Sequence, residues 1–285
     1  MPQTWTVVVP VKRLAVAKSR LRGAVPAVPH ATLALALATD TVRAVAGCVA
    51  VTEVVVVTDD ARVTAALARQ EGPAGGRRPA RVRVVPDSPD AGLNAALRHG
   101  AATAVGPVAG ITADLPALRP AELAAALTAA HDDPPGVRRF VADAPGDGTV
   151  LLTAPAGVPL DPRFGGGSAA AHAVSGAVPL TGDWPTLRRD VDTPTDLAAA
   201  VALGLGASTA AIVRGVYGDA MQGTVATFDA TTRSGVLLLD DGTELPFPAR
   251  AFDASGLRLL RLGQRLRVET DPTGEVVRVT LPTMA

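Results

Sequence analysis

Two lysines, Lys12 and Lys18, stand against 25 arginines in this chain, and both fall between Val9 and Leu21. An ammonium is a compact, strongly hydrated point charge on a flexible stem, whereas a guanidinium is a planar fork. Lysine kept where the composition otherwise selects arginine points to a contact that needs the point charge, such as a phosphate; solvated surface charge near the N-terminus is the alternative reading. Carboxylates come from two distant segments. Asp114 follows the apolar run Val108–Thr112, while Asp190 and Asp192 alternate in Arg189-Asp-Val-Asp-Thr-Pro194, so in an extended chain they point the same way. Carboxylates so placed suit Mg²⁺, which needs few protein ligands when phosphates and water complete its octahedron. A third constellation is Phe164-Gly-Gly-Gly-Ser168, leading into Ala169-Ala-Ala-His172. Consecutive glycines let backbone amides approach an anion, and a helix start after Ser168 adds its dipole. Gly148-Thr149 supplies a further small donor. Together these groups suit phosphoryl or nucleotidyl transfer, a chemistry of positioning and charge neutralisation. The four histidines, His30, His99, His131 and His172, read as surface or helix-end residues.

The elements that must carry these groups are legible as alternating apolar runs. Strands are expected at Thr6–Val9, Val51–Thr58, Val82–Val85, Val108–Thr112, Arg139–Ala142 and Thr149–Thr153. Helices are expected at Ala31–Ala46, Ala61–Gln70, Leu93–Ala104, Ala121–Ala130 and Thr195–Leu203. The run Val54–Val57 is apolar on both faces, as a central parallel strand requires. The alternation predicts an α/β fold with a doubly wound, mostly parallel sheet. Polar residues gather where strands end, at Thr58-Asp59-Asp60, Pro86-Asp87 and Thr112-Ala-Asp114, the edge at which such a sheet takes ligands. Asp60 and Asp114 can equally serve as helix caps, and Asp196 reads as a cap or first-turn charge.

Near Val213 the character changes to short strands with frequent turns, so two domains are expected, 1–213 and 214–285, joined through Leu203-Gly-Leu-Gly-Ala-Ser-Thr209. A formal net charge of zero gives no global field for nucleic acid. The lone Cys48 excludes an internal disulfide. No long uninterrupted apolar stretch or basic leader stands out, which predicts a cytoplasmic protein without a membrane partner. The excess of Ala, Arg, Gly and Pro suggests a GC-rich, actinobacterial genome.

The ordered set Pro10-Val-Lys12, Lys18-Ser-Arg-Leu21, Gly92-Leu-Asn94, Asp114-Leu-Pro116, Gly148-Thr149, Phe164-Gly-x-Gly-Ser168 and Asp190-x-Asp-Thr-Pro194 resembles the 2-phospho-L-lactate guanylyltransferase family, whose actinobacterial branch uses phosphoenolpyruvate. Its members act in biosynthesis of the deazaflavin coenzyme F-420 and share the GT-A-like nucleotidyltransferase fold. The resemblance spans about residues 5 to 205. It implies that Lys12 and Lys18 meet the phosphates of GTP, with Lys18 and Asp114 catalytic. It places Asn94 at the nucleoside, Mg²⁺ on Asp114, Asp190 and Asp192, and the phosphorylated acid on Thr149, Gly165 and Ser168. Phosphoenolpyruvate, 2-phospho-L-lactate and 3-phosphoglycerate all remain open as acceptor, with the composition favouring the first.

Residues 221 to 281 resemble a cold-shock, OB-type barrel, through Gly223-Thr-Val-Ala-Thr-Phe228, Asp241-Gly-Thr-Glu-Leu-Pro-Phe247 and Gly263-Gln-Arg-Leu-Arg-Val268. Such barrels bind single strands on surface aromatics over a basic groove. Here the stacking positions read Thr227, Val236 and Leu245, and 8 arginines face 9 acidic residues from Arg214 onward. Nucleic acid is therefore an unfavoured partner, and a single-strand-binding protein with an inactive α/β domain is the competing reading.

Overall fold

Valine runs build the centre of the larger sheet. In the computed structural model, which describes residues 4–15, 17–25, 28–68, 79–132, 136–217, 221–239, 242–270 and 275–281, strand β1 (Trp5–Pro10) is buried throughout. The chain then adds α1 (His30–Ala46), β2 (Val51–Val57), α2 (Ala61–Ala68), β3 (Arg81–Val85), α3 (Leu93–Ala101), β4 (Val108–Ile111) and α4 (Pro120–Asp132). It continues with β5 (Arg139–Ala142), β6 (Thr149–Ala154), α5 (Ser168–Val174), β7 (Val178–Pro179), α6 (Pro185–Arg188), α7 (Pro194–Leu203) and α8 (Ala207–Tyr217). The strands order as β3-β2-β1-β4-β6-β5-β7. β3, β2, β1 and β4 are parallel, β6 runs antiparallel to both its neighbours, and β7 is parallel to β5.

Because β1 and β2 are apolar on both faces, helices must cover both. Val7, Val9, Val54 and Val56 pack with α1, α2 and α4 residues such as Val42, Val63 and Leu127. Val8, Val55 and Val57 pack on the opposite face with Ala96 and Leu97 of α3. Gly100 sets how closely α3 approaches: a Cβ there would fall 2.4 Å from Val8 Cγ1. The strand order reverses at β1, with β2 on one side and β4 on the other. That switch point lays the loops after β1 and β4 side by side, the usual crevice for a ligand.

The helix expected over Leu93–Ala104 ends at Ala101, and an unforeseen one, α8, occupies part of the expected link. Its start is fixed from far away in sequence: the buried Asp40 carboxylate accepts from the backbone N–H groups of Ser208 (3.0 Å) and Thr209 (2.7 Å). No local capping signal marks it. By contrast the α7 cap was legible, and Thr193 and Asp196 form a reciprocal capping box. The end of the expected Ala61–Gln70 helix lies outside the described residues beyond Ala68. Among the described residues no helix is long and apolar enough to cross a membrane.

The chain divides into two compact units, Met1–Ile212 and Val213–Ala285. The second contains β8 (Met221–Asp229), β9 (Ser234–Leu239), β10 (Glu244–Phe247), α9 (Ala249–Asp253), β11 (Arg265–Thr270) and β12 (Val276–Thr280). These strands form one antiparallel sheet in the order β10-β9-β8-β11-β12. Phe247 and Phe252 are buried within this unit, and Phe228 packs against both, with ring centroids 6.3 and 4.9 Å away. Phe247 and Phe252 serve a core, and the half-buried Phe228 leans on it.

Candidate active site

A cleft of about 640 Å³ opens at the switch point and gathers most of the groups singled out by sequence. Lys12 and Lys18 line it from the loop after β1, Asp114 from the loop after β4, and Asp190 and Asp192 from the turn before α7. Thr149, Gly165 and Ser168 line it too.

Backbone bonds explain why these distant segments meet. Thr41 Oγ1, buried in α1, accepts from the Leu115 N–H at 2.9 Å and so fixes the loop after β4. The Val191 N–H donates to the Asp114 carbonyl at 3.0 Å, which docks the second acidic segment on the first. Val191 is fully buried between Asp190 and Asp192. The anchored valine keeps both flanking carboxylates at the cleft. The loop carrying Lys18 is tied down by Asp60, whose Oδ2 accepts from the Leu14 N–H at 2.9 Å. Asp60 Oδ1 also accepts from the Arg62 N–H at the start of α2, so the capping role is real.

Lys18 bridges the acidic segments, its Nζ donating to both Asp114 Oδ2 and Asp192 Oδ1. Burial works to lower its pKa, but the charges of Asp114 and Asp192 more than offset this and hold the ammonium well above its usual range. Its backbone lies in the left-handed region at φ 54°, a conformation costing on the order of 1 kcal/mol for a residue with a Cβ. Asp190 carries the opposite imbalance. Burial first, then Asp114, Asp192 and Asp143, push its carboxyl up to about 7. Asp114 Oδ1 is buried with no hydrogen-bond partner among the described residues. The site is thus short of positive charge and has an orphaned acceptor, a donor set that fits a hard cation. Among the described residues no three metal-ligating side chains already form a closed cluster. The Lys18 ammonium lies between two of the three carboxylates instead.

The opposite wall is built on Asp143, which the sequence reading passed over. Its carboxylate accepts from the N–H groups of Gly146 (2.7 Å) and Gly148 (2.9 Å), shaping the turn that presents Thr149 at the start of β6. Gly148 is required there, since a Cβ would lie 2.2 Å from Asp143 Oδ2. With Asp143 held by two amides, Gly148→Ala must displace the turn. The expected cost is about 1–3 kcal/mol of stability; denaturant unfolding checks it, and a wild-type midpoint would mean that Asp143 swings aside at no cost.

Asn94, expected at a nucleoside, is not among the residues that line this cleft. Its Nδ2 donates to the Phe164 carbonyl at 3.0 Å and its Oδ1 accepts from the Phe164 N–H at 2.8 Å. Both polar ends bond the Gly-rich loop, so Asn94 holds that loop and keeps one Nδ2–H beyond it. Gly165 and Gly167 adopt φ of 143° and 67°, and the Gly167 N–H donates to Asp147 Oδ2 at 3.3 Å. Helix α5 has only seven residues, so the dipole anticipated after Ser168 is short-ranged. His172, read as a surface or helix-end residue, is wholly buried. Nothing in its local sequence marks that burial, because the partners come from β5, β6 and the loop before α5.

No family model matches the chain. Curated relatives do. A phosphoenolpyruvate guanylyltransferase from Salinispora arenicola is 67% identical over 211 residues, covering 74% of this chain and 94% of the relative. One of the same name from Geodermatophilus obscurus is 52% identical over 219 residues, 75% of this chain and 95% of the relative. Among solved structures, one from Desulfovibrio desulfuricans G20 classed with nucleotide-diphospho-sugar transferases superposes with a TM-score of 0.51 at 16% identity, over 74% of this chain and 94% of that one. At that identity the likeness establishes an α/β nucleotidyltransferase-like fold.

Proposed function

The chain belongs to the phosphoenolpyruvate guanylyltransferase family, and from that premise we propose that its cleft transfers the guanylyl group of GTP to phosphoenolpyruvate in the cytoplasm. The observation that carries this reading is the pairing, in one cleft, of a cation-poor carboxylate wall around Lys18 with a Gly-rich wall holding Thr149 and Ser168. A phosphate oxygen of the acceptor attacks the α-phosphorus of GTP. The bond from that phosphorus to the β-phosphate oxygen breaks, and pyrophosphate leaves with its electron pair. The product is enolpyruvyl-2-diphospho-5'-guanosine, a precursor for coenzyme F-420. The nucleophile is already an anion, so no general base is needed.

Each residue then has a task set by charge and position. Lys18 has three N–H donors, two of them spent on Asp114 and Asp192; the third is left for a triphosphate oxygen. One ammonium–phosphate contact at about 4 Å is worth on the order of 4 kcal/mol gross at an effective dielectric near 20. Lys12, exposed at the mouth, adds a second cation to the same path. Asp114, Asp190 and Asp192 are the residues that would hold Mg²⁺, a fit supported by the orphaned Asp114 oxygen. When bound, such an ion would offset charge on the triphosphate and on the departing pyrophosphate. Thr149, Ser168 and the amides around Gly165 receive the anionic acceptor.

For the second unit we infer an OB-type barrel of the cold-shock kind with a structural or interaction role. The strand order, with a short helix between β10 and β11, supports the fold assignment. The buried phenylalanines argue against base stacking.

A coupled pyrophosphate-release assay tests the reading. With GTP and Mg²⁺, phosphoenolpyruvate is expected to give the highest kcat/KM, above 2-phospho-L-lactate and 3-phosphoglycerate. A chain ending at Tyr217 is expected to keep catalysis, because every proposed catalytic group precedes that residue. Release with a sugar phosphate and with none of the three acids would sink the acceptor assignment.

A further inference from the structure

His172 is wholly buried in α5, and the reaction above leaves it without a task. Its ring packs against Phe164, edge-on with centroids 5.2 Å apart, and Phe140, at 5.8 Å. Both ring nitrogens are engaged. The Arg163 backbone N–H donates to Nε2 at 2.9 Å, so Nε2 carries no proton. Nδ1 lies 2.9 Å from Thr149 Oγ1. Burial lowers the imidazole pKa to about 4, outweighing the Ser168 carbonyl and Asp161, which pull the other way. The ring is therefore neutral at pH 7, and its one proton sits on Nδ1. The Nδ1–H donates to Thr149 Oγ1, and a hydroxyl that accepts there still has its own proton to give.

We propose that His172 is a positioning residue for the anionic acceptor: through Nδ1–H it fixes the Thr149 hydroxyl as a donor into the cleft, and through Nε2 it holds Arg163 at the base of the Gly-rich loop. The inference rests on the reading of Thr149 and the Gly165–Ser168 loop as the acceptor site. Thr149 is 5% exposed and Ser168 2%, so neither hydroxyl has bulk water to orient it. The clamp is doubled one residue on, where Asn94 takes both backbone groups of Phe164. Consecutive residues just before Gly165 are thus held by side chains of α5 and α3. An enzyme that must bind a small, doubly anionic acid gains from a donor whose direction is set before the acid arrives.

The test uses the full chain. His172→Met keeps the bulk and a weak sulfur acceptor for Arg163 but has no donor for Thr149; Thr149→Val removes the hydroxyl. Each is expected to raise the KM for phosphoenolpyruvate about tenfold, the scale of one hydrogen bond to a charged group, with the KM for GTP unchanged. The double variant should be no worse than Thr149→Val alone, because the two residues act as one unit. Multiplying effects, or a folded His172→Met protein with a wild-type acceptor KM, would overturn the proposal. A second measurement needs no substrate and no variant: long-range ¹H–¹⁵N spectra of the wild-type imidazole at pH 7. The Nδ1–H tautomer is expected, and an Nε2–H tautomer or an imidazolium would overturn the assignment. The spectra therefore test His172 even where the assay with phosphoenolpyruvate fails, which is the outcome that would reject the functional reading instead.

Discussion

Asp114→Asn is expected to lower turnover at least about a hundredfold, the scale seen when a group aimed at developing charge is removed from an active site. The change is nearly isosteric, so circular dichroism should be unaltered. Asp114 is the most enclosed of the Lys18 partners, 14% exposed at its side chain against 51% for Asp192. The effect of Asp192→Asn should accordingly be smaller, since water can replace part of what an exposed carboxylate provides. Asp190→Asn carries a second signature. An ordinary carboxyl ionises near 3.8 and this one near 7. Its folded-state pKa is raised, so the ligand-free protein loses stability from this group as pH rises from about 4 through 7. The Asn variant lacks that slope. In chelator at pH 8 it should be more stable than wild type by at least about 1 kcal/mol, while turning over more slowly. Gain in stability with loss of activity is what strain stored at a working site produces. Denaturant midpoints at pH 5 and pH 8, set beside rates at limiting Mg²⁺, decide it; wild-type rates for all three variants would remove the carboxylates from the mechanism.

The sheet was readable because its signals are local. Four successive β-branched valines at 54–57 favour a strand covered on both faces, and the polar residues after each run mark its ligand edge. For the same reason Lys12, Lys18, Asp114, Asp190, Asp192, Thr149, Gly165 and Ser168 could be listed before the cleft was seen, and all of them line it. What sequence could not supply were bonds between segments far apart in the chain. Asn94 looks like a free amide near a helix start until Phe164, 70 residues on, takes both its ends. His172 looks like a helix-end polar residue until Thr149 and Arg163 are brought to its two nitrogens. Asp40 lies within a helix whose pattern gives no hint that it caps another 168 residues away. In each case the polar group serves a partner that only the packed sheet brings near. The second unit shows the converse: alternation and turn residues announce short strands, but whether Phe228 and Phe247 face water or each other depends on pairing between strands.

Lys18→Arg should reduce turnover about a hundredfold although it keeps the charge. The ammonium sits where Asp114 and Asp192 converge from segments that sequence separates by dozens of residues, and it is only 18% exposed. Its donors point along tetrahedral directions, so two can serve the carboxylates while the third reaches toward a phosphate. A guanidinium offers its donors in one plane and needs more room. Placed here it would pair with one carboxylate in a fork and leave the other short, or push the two segments apart. The left-handed backbone at Lys18 adds to the constraint, since the Leu21 N–H bonded to the Lys18 carbonyl at 2.9 Å allows the main chain little freedom to accommodate a longer side chain. The loss should fall on kcat and on the KM for GTP, with the KM for phosphoenolpyruvate spared, because the acceptor wall is built from β6 and the Gly-rich loop. That split separates Lys18 from His172, whose variants are expected to do the reverse. Full activity in the Arg variant would mean that any cation suffices between the carboxylates, and that the chain's two lysines are no more than charge.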